Sequence, residues 1–203
     1  MYSFLPSALI GFHGCDRVVG EKVLAGKTAL RSSTNTYDWL GHGIYFWENN
    51  PQRALQFANQ VKSNPLRYKN KISHEFVIGA IIVPGHCLNL LEAQSLEIVR
   101  QGYTSLKGLH EKAGIPMPEN HKRDNELLLR NLDCAVIELV HKFRLDDKRR
   151  AFDSIRGVFI EGHPLYPNAG FNERNHIQIC VRNPNCIKGY FRVLDEDKEF
   201  PLP

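Results

Sequence analysis

The sequence predicts a single α+β domain in which a β-rich core is interrupted by a helical segment. Two observations support this prediction. First, short apolar, β-prone runs occur near both ends of the chain, whereas apolar residues spaced three or four apart dominate its middle. Second, 203 residues, 42% of them hydrophobic, are enough to bury one sizeable core. Strands, then helices, then strands are typical of an α+β domain, here spanning 1–203.

The chain begins with a predicted strand and helix. Residues 7–13 form a short apolar run, which is typical of a buried strand. Asp16 is placed to cap a helix over 16–25, because its side chain can accept a hydrogen bond from a backbone N–H of the first turn. We expect one side of this helix to be apolar, comprising Val18, Val19, Val23 and Leu24.

A second strand, helix and strand follow. Glycines beside a β-prone run at 41–47 predict a tight turn into a strand. Asn50 and Pro51 then predict the start of a helix, since proline suits the first helical position. Residues 75–83 form a strongly apolar strand that is halted by a Pro-Gly pair at 84–85.

The middle of the chain predicts a helical insertion over 93–153. Helical spacing covers 91–113 and 122–145, and the proline- and glycine-containing segment 114–121 links the two stretches. The second stretch carries apolar residues at helical steps: Leu128, Leu132, Ala135, Val136, Leu139 and Val140.

Strands return after the insertion. The β-prone runs are 154–162, 176–182 and 189–194. Alternation within 176–182 divides its side chains between two faces, with one face apolar. We expect the apolar set to face the core and the other set, His176, Gln178 and Cys180, to face a cleft.

Composition excludes several classes of protein. The net charge of +4 and the pI near 8.8 are mildly basic and permit an anionic cofactor or a nucleic acid partner. Five cysteines, without any C-x-x-C pair, argue against a disulfide framework or a zinc site and indicate a cytoplasmic protein. No apolar run is long enough to span a bilayer, so no membrane partner is expected. The N-terminal run indicates a first strand and not a signal peptide, because it lacks a basic segment.

Three segments share a distinctive order and spacing: GFHGCD (11–16), GHGIYFWENNPQRALQFA (41–58) and RNHIQICVRNPNCIKGYF (174–191). Together they resemble the ADP-ribosyltransferase superfamily, in the branch of poly(ADP-ribose) polymerases and diphtheria-type toxins, and specifically a stand-alone bacterial-type member. The resemblance covers about half of the chain, and 93–153 matches nothing in that pattern. It implies a split β-sheet core with a cleft for NAD and requires no metal.

The resemblance assigns His13 and Tyr45 to the nicotinamide half of NAD. Cleavage of the nicotinamide–ribose bond leaves an oxocarbenium-like sugar, so the enzyme must anchor the ribose and immobilise the departing ring. By resemblance, His13 hydrogen-bonds a ribose hydroxyl and Tyr45 stacks on the nicotinamide ring. Gly14 lets the backbone approach the nicotinamide amide closely.

Three further residues complete the cofactor site that the resemblance implies. Gly43 belongs to the turn that aims the tyrosine. Tyr37 is placed to supply the opposite aromatic wall. Arg31 is placed to pair with the pyrophosphate, because its fork of donors suits phosphate oxygens.

One departure from the family pattern concerns a glutamate. The branch usually carries a glutamate at the start of the third motif's strand, where it stabilises the developing cation. His176 occupies that position here, and Gln178 lies two residues later on the same face. Glu173, before the strand, and Glu161, on the preceding loop, are acidic alternatives, and the sequence leaves all four open.

We therefore expect a mono-ADP-ribosyltransferase that uses NAD as co-substrate and modifies a macromolecule, either a protein or a nucleic acid. An NAD glycohydrolase and an NAD-dependent RNA phosphotransferase are alternatives within the enzyme class. A non-catalytic module that binds NAD or ADP-ribose is the alternative outside it. Stand-alone bacterial members often act as toxins or anti-phage effectors, which implies a neutralising antitoxin as a further partner.

Overall fold

The chain forms a mixed seven-stranded sheet with four helices and a separate two-stranded sheet. The computed structural model describes residues 8–68, 71–123, 126–195 and 199. The strands are β1 (Leu9–Asp16), β2 (Ile44–Glu48), β3 (Glu75–Ile82), β4 (Cys87–Asn89), β5 (Asn120–Arg123), β6 (Glu126–Arg130), β7 (Ser154–Phe159), β8 (His176–Val181) and β9 (Ile187–Arg192). The helices are α1 (Arg17–Leu24), α2 (Pro51–Ser63), α3 (Ala93–Ala113) and α4 (Asn131–Asp146). The sheet order is β4-β7-β8-β2-β1-β3-β9, and β5 pairs with β6, which confirms the α+β class.

The predicted elements of the first half are confirmed, and their local signals act as expected. The Asp16 carboxylate accepts a hydrogen bond from the backbone N–H of Val18 at 2.9 Å and caps α1. The Asn50 side chain caps α2, which begins with Pro51. The apolar side predicted for α1 is partly wrong: Val23 is buried, but Val18 and its neighbour Val19 are exposed. The first residues of the chain, including the expected N-terminal end of the first strand, lie outside the described residues.

The predicted helix over 122–145 is wrong in its first third. The described residues of this region form two antiparallel strands, β5 and β6, and α4 begins only at Asn131. The helix start explains the difference, because the Asn120 side chain accepts hydrogen bonds from the backbone N–H groups of Leu132 and Asp133 at 2.9 and 3.3 Å. The residue at the N-cap of α4 makes no side-chain cap hydrogen bond. Asn120, a residue of strand β5, caps the helix instead.

The sheet has two covered faces, which we call front and back. The front face carries Tyr45 and Cys180, which are in register, and it packs under α2 and under the α3–α4 insertion. The back face carries Phe46, Ile78 and Ile179 and packs under α1 and the loop that follows it. The helical insertion therefore contributes to a core beneath the sheet and is not a separate body.

The sheet splits between its two central strands. β1 pairs with β3 over its whole length, but with β2 only through Gly11–Glu48 and Phe12–Trp47. Beyond Phe12 the two strands diverge, while β1 remains paired with β3 and β2 with β8. The first two sequence motifs, near the C-terminal end of β1 and in β2, meet at this divergence.

Close packing of α2 on β1 makes Gly14 sensitive to substitution. A Cβ atom at this position would lie 2.2 Å from the carbonyl oxygen of Ala54, a backbone atom that cannot give way without moving α2. We expect Gly14→Ala to lower the free energy of unfolding by about 2–3 kcal/mol, as overpacking does. Gly189→Ala, in β9 with nothing within 4 Å, should leave stability unchanged or slightly higher. Urea denaturation of both variants tests this, and equal stabilities would contradict the close contact.

The insertion should be sensitive to pH through His141. This side chain is buried in α4, and burial lowers its pKa to about 4 from the ordinary 6.5, with the positive charge of Arg182 adding to the shift. Between pH 6.5 and 4 the unfolded chain therefore binds a proton that the folded chain does not, so stability falls as pH falls through this window. The expected loss is about 3 kcal/mol.

A His141→Leu variant isolates this effect. Denaturant midpoints measured from pH 7 to 4 should fall less steeply in the variant than in the wild type. The other histidines and the carboxylates titrate equally in both chains, so the difference between the two curves reports His141. Parallel curves would show that His141 is not the group responsible.

Candidate functional site

His13 lies where β1 and β2 diverge. Its Nδ1 is 2.8 Å from the backbone carbonyl oxygen of Tyr45, so the imidazole takes the place of a missing ladder bond. A carbonyl can only accept, so Nδ1 carries the proton. Burial lowers the pKa of His13, which keeps the ring neutral at neutral pH. Nε2 of a neutral ring then presents a lone pair that can accept a hydrogen bond from a hydroxyl group.

The backbone carbonyl of Tyr45, and not its ring, contacts His13. His13 is in register with Ile78 on the back face, whereas Tyr45 is in register with Cys180 on the front face. The Tyr45 hydroxyl donates to the Gly41 carbonyl at 2.7 Å and accepts from the Leu40 N–H at 3.0 Å, and burial raises its pKa well above the usual range. The ring therefore forms part of the core beneath the insertion.

The remaining residues expected at the cofactor lie along the segment that leads into β2. Gly43 exchanges backbone hydrogen bonds with Ser33, and a Cβ there would lie 2.5 Å from Cys180 Sγ, so packing alone requires glycine. Tyr37 is exposed, and burial of part of its ring raises its pKa. Arg31 is also exposed. The structure does not bring Arg31 or Tyr37 into contact with His13.

His176 begins β8 and is buried on the front face. Its ring lies between two aromatic rings, with centroids 6.2 Å from Trp47 and 5.5 Å from Phe159. Its Nδ1 donates to the Arg174 carbonyl oxygen at 2.6 Å, and burial lowers its pKa. His176 is buried, whereas Gln178, two residues later on the same face, is half-buried.

Glu161 is the carboxylate that the fold brings to His176. Its Oε2 lies 3.9 Å from His176 Nδ1, and both carboxylate oxygens contact Arg53 Nη2 at 2.5–2.6 Å. Arg174 Nε lies 3.4 Å from Glu161 Oε1, and Arg174 Nη2 pairs with Glu126 Oε1. Arg53 and Glu161 are only 5% and 8% exposed, so this is a buried ion pair.

Several polar atoms around this ion pair have no hydrogen-bond partner among the described residues. They belong to buried side chains and comprise Arg53 Nε and Nη1, Trp47 Nε1 and His176 Nε2. The guanidinium carbon of Arg53 lies 5.7 Å from the Trp47 ring centre, so these atoms share one region. Buried polar groups are normally satisfied, and an unsatisfied cluster of this kind indicates a place where a polar group binds.

The other two alternatives to the usual glutamate are placed differently. The Gln178 side-chain oxygen accepts a hydrogen bond from Trp39 Nε1 at 2.7 Å. Glu173 is exposed, and its carboxylate accepts from the His163 N–H at 3.3 Å. It borders a shallow polar groove along α2 that includes Asn50 and Arg53. Neither side chain contacts His176 directly.

The sequence did not predict that Arg53 and Trp47 belong to a buried polar cluster. Arg53 had a readable signal, because it occupies the buried side of α2 beside Ala54 and one turn before Phe57. A charged residue on the buried side of a helix requires a buried partner of opposite charge. Trp47 had no such signal, since a tryptophan in an apolar strand usually belongs to the core.

Among the described residues, no group of three or more His, Cys, Asp or Glu side chains is arranged to hold a metal ion. All five cysteines are free thiols. None of the described helices combines the length and apolarity needed to cross a bilayer.

Comparison with known proteins gives one informative relative. The chain is 26% identical over 205 aligned positions to the uncharacterized protein MJ0359 of Methanocaldococcus jannaschii, covering 93% of this chain and 87% of the relative. No family model matches the chain, and no solved structure matches it.

Proposed function

We propose that the chain is an NAD-using mono-ADP-ribosyltransferase. One observation carries this proposal: β1, β2 and β8, which carry strands of the three sequence motifs, are consecutive in the sheet, whereas β9, the second strand of the third motif, pairs with β3 at the edge. The split of the sheet between β1 and β2 also agrees with the split core that the resemblance implies. Motifs that served only to stabilise local structure would have no reason to lie in consecutive strands of the sheet.

His13 has the protonation state that ribose binding requires. With Nδ1 donating to the Tyr45 carbonyl, Nε2 accepts a hydrogen bond from a ribose hydroxyl. The ring is neutral because its pKa is lowered, so it adds no positive charge near the cationic sugar. His13 therefore orients the ribose without opposing the charge that develops.

Glu161 takes the role of the usual glutamate in this proposal. It is the carboxylate closest to His176, and a carboxylate stabilises an oxocarbenium-like transition state electrostatically. Arg53 holds both of its oxygens on one nitrogen, so Arg53 positions the carboxylate. Loosening this pair as NAD enters would release the negative charge toward the sugar.

The polar atoms of the cluster fit part of NAD. Unpaired donors on Arg53 and Trp47, beside the lone pair of His176, complement the carbonyl oxygen and the NH₂ group of a carboxamide. This cluster is on the front face and the His13 ring is on the back face, so one NAD molecule would reach both only across the divergence of β1 and β2. Tyr45 fits less well, because its ring stacks on nicotinamide only if the hydroxyl leaves Leu40 and Gly41. When bound, NAD supplies the reactive bond and the leaving group, and the chain supplies orientation and charge.

Incubation with NAD and a whole-cell lysate tests the proposal. NAD labelled in its adenylate phosphate is used, nicotinamide is measured by chromatography, and label is counted separately in the protein and nucleic acid fractions. The expected result is release of nicotinamide with label bound to one fraction. Free ADP-ribose alone would indicate a glycohydrolase, and NAD that binds and stays intact would indicate a binding module. NAD that neither binds nor reacts would refute the proposal.

A further inference from the structure

The turn at 40–43, which leads into β2, is held by a residue of the helical insertion. Glu138, on α4, accepts a hydrogen bond through Oε1 from the backbone N–H of His42 at 2.8 Å. Arg182, directly after β8, donates from Nη1 to the His42 carbonyl oxygen at 3.1 Å and also pairs with the Glu138 carboxylate. Both backbone polar groups of His42 are therefore bonded to one ion pair, which joins α4 to the turn.

The approach of α4 to the turn leaves no room for a side chain at Gly41. This residue has the left-handed φ of 75°, and a Cβ atom there would lie 2.5 Å from Glu138 Oε1 and 2.7 Å from the Ile137 side chain. Glycine satisfies both requirements at once. The first glycine of the second sequence motif is thus required by its contact with the insertion.

Glu138 carries its negative charge at neutral pH. Burial raises the pKa of this carboxyl, but the hydrogen bonds from Arg182 and from the His42 N–H outweigh burial and lower the pKa below its usual value. The His42 ring faces the same carboxylate, with Nδ1 3.5 Å from Glu138 Oε2. A charged acceptor forms a stronger hydrogen bond than a neutral one. The carboxylate therefore holds the turn more firmly than a backbone carbonyl would.

The same peptide unit also holds the Tyr45 hydroxyl. The His42 N–H, which donates to Glu138, and the Gly41 carbonyl, which accepts from the Tyr45 hydroxyl at 2.7 Å, belong to one planar peptide group. Fixing the N–H therefore fixes the direction of the carbonyl. The hydroxyl in turn accepts from the Leu40 N–H at 3.0 Å. A carboxylate of the insertion thus reaches Tyr45 through a single rigid group.

We propose that Glu138 is a positioning residue for Tyr45, because it orients the Gly41–His42 peptide so that the carbonyl retains the Tyr45 hydroxyl. The consequence for NAD rests on the proposed function, in which the Tyr45 ring stacks on nicotinamide only after its hydroxyl leaves the turn. Glu138 then sets the fraction of chains in which the ring is available. The apparent affinity for NAD falls in proportion to that fraction.

Two substitutions of Glu138 and one control test the proposal in the full chain. Glu138→Leu removes the acceptor, whereas Glu138→Gln loses the charge but keeps an oxygen that can accept from the His42 N–H. The matched control is Glu97→Leu, which removes a glutamate of α3 that pairs with Arg100 at 2.7 Å. Circular dichroism and urea denaturation verify that each variant folds.

The first measurement is amide hydrogen exchange by NMR, and it does not require NAD. The Leu40 N–H reports on the Tyr45 hydroxyl, because it donates to that hydroxyl and not to Glu138. We expect its exchange to be at least about fivefold faster in Glu138→Leu, as loss of a hydrogen bond produces, and within about twofold of wild type in Glu138→Gln and Glu97→Leu. Unchanged exchange at Leu40 in Glu138→Leu would overturn the proposal. So would an equal rise at the amides of β3, because it would show that the whole chain is destabilised.

The second measurement is the kinetics of nicotinamide release from NAD. Glu138→Leu should lower KM about fivefold and leave kcat within about twofold of wild type, because more chains have an available Tyr45 ring. In a Tyr45→Phe background, which lacks the hydroxyl, adding Glu138→Leu should not change KM further. An unchanged or raised KM in the single variant, or the same shift in both backgrounds, would contradict the positioning role.

The two measurements distinguish failure of this role from failure of the proposed function. If the wild type neither binds NAD nor releases nicotinamide, the proposed function fails and the expected change in KM fails with it. Exchange at Leu40 then decides by itself whether Glu138 positions Tyr45, since it depends only on contacts within the chain.

Discussion

Replacing His13 with alanine is expected to lower the rate of nicotinamide release from NAD at least about a hundredfold while the chain stays folded. The variant loses the ring nitrogen that accepts from the ribose hydroxyl, and groups in such roles typically contribute a hundredfold or more. It also loses the hydrogen bond to the Tyr45 carbonyl, which contributes about 1 kcal/mol to stability. Steady-state kinetics with NAD measures the effect, and thermal denaturation verifies the fold.

His110→Ala is the matched control for this prediction. His110 is a half-buried histidine on α3 whose Nδ1 also bonds a backbone carbonyl, that of Pro116, at 2.8 Å. It should retain wild-type turnover. If His13→Ala also turned over NAD at the wild-type rate, the site at the split between β1 and β2 would be refuted. Tyr45→Ala is a less informative test, because its buried ring and hydroxyl contribute to the core and its loss would affect folding.

Local signals in the sequence were sufficient for most of the core. The caps at Asp16 and Asn50 and the apolar runs of β1, β2 and β3 act through neighbours in the chain, so they can be read without knowing the fold. The strands β5 and β6 could not be read in this way, because Asn120 caps a helix that begins eleven residues later through strand pairing. Elements that depend on such pairing lack a local signature.

The candidate site illustrates the same limit at the level of side chains. The alternation of side chains shows which residues of one strand share a face of the sheet. Which residues of a second strand share that same face depends on the register in which the two strands pair. The pairing of Phe12 with Trp47 puts His13 and the Tyr45 ring on opposite faces, although their motifs lie side by side. Glu161 was one of four alternatives in the sequence, and its 3.9 Å approach to another of them, His176, could not be read from the chain.

Removing one partner of the buried Arg53–Glu161 pair should be the most destabilising change in the site. We expect Arg53→Met to lower the free energy of unfolding by about 3–5 kcal/mol, because it leaves the Glu161 carboxylate buried with only the more distant Arg174 to compensate it. The double variant Arg53→Met/Glu161→Met replaces the whole pair with side chains of similar size. Its stability should lie within about 2 kcal/mol of wild type, since it leaves no uncompensated charge at this pair.

The same variants separate a structural role of the pair from a catalytic one. If the pair only stabilises the fold, the double variant should recover NAD turnover together with stability. If Glu161 stabilises the cationic sugar, or if Arg53 binds the carboxamide, the double variant should fold but release nicotinamide no faster than the single variants, because both side chains are lost. Urea denaturation and nicotinamide release measured on the single and double variants decide between these outcomes. Additive losses of stability would show that the two side chains act independently and would contradict the buried pair.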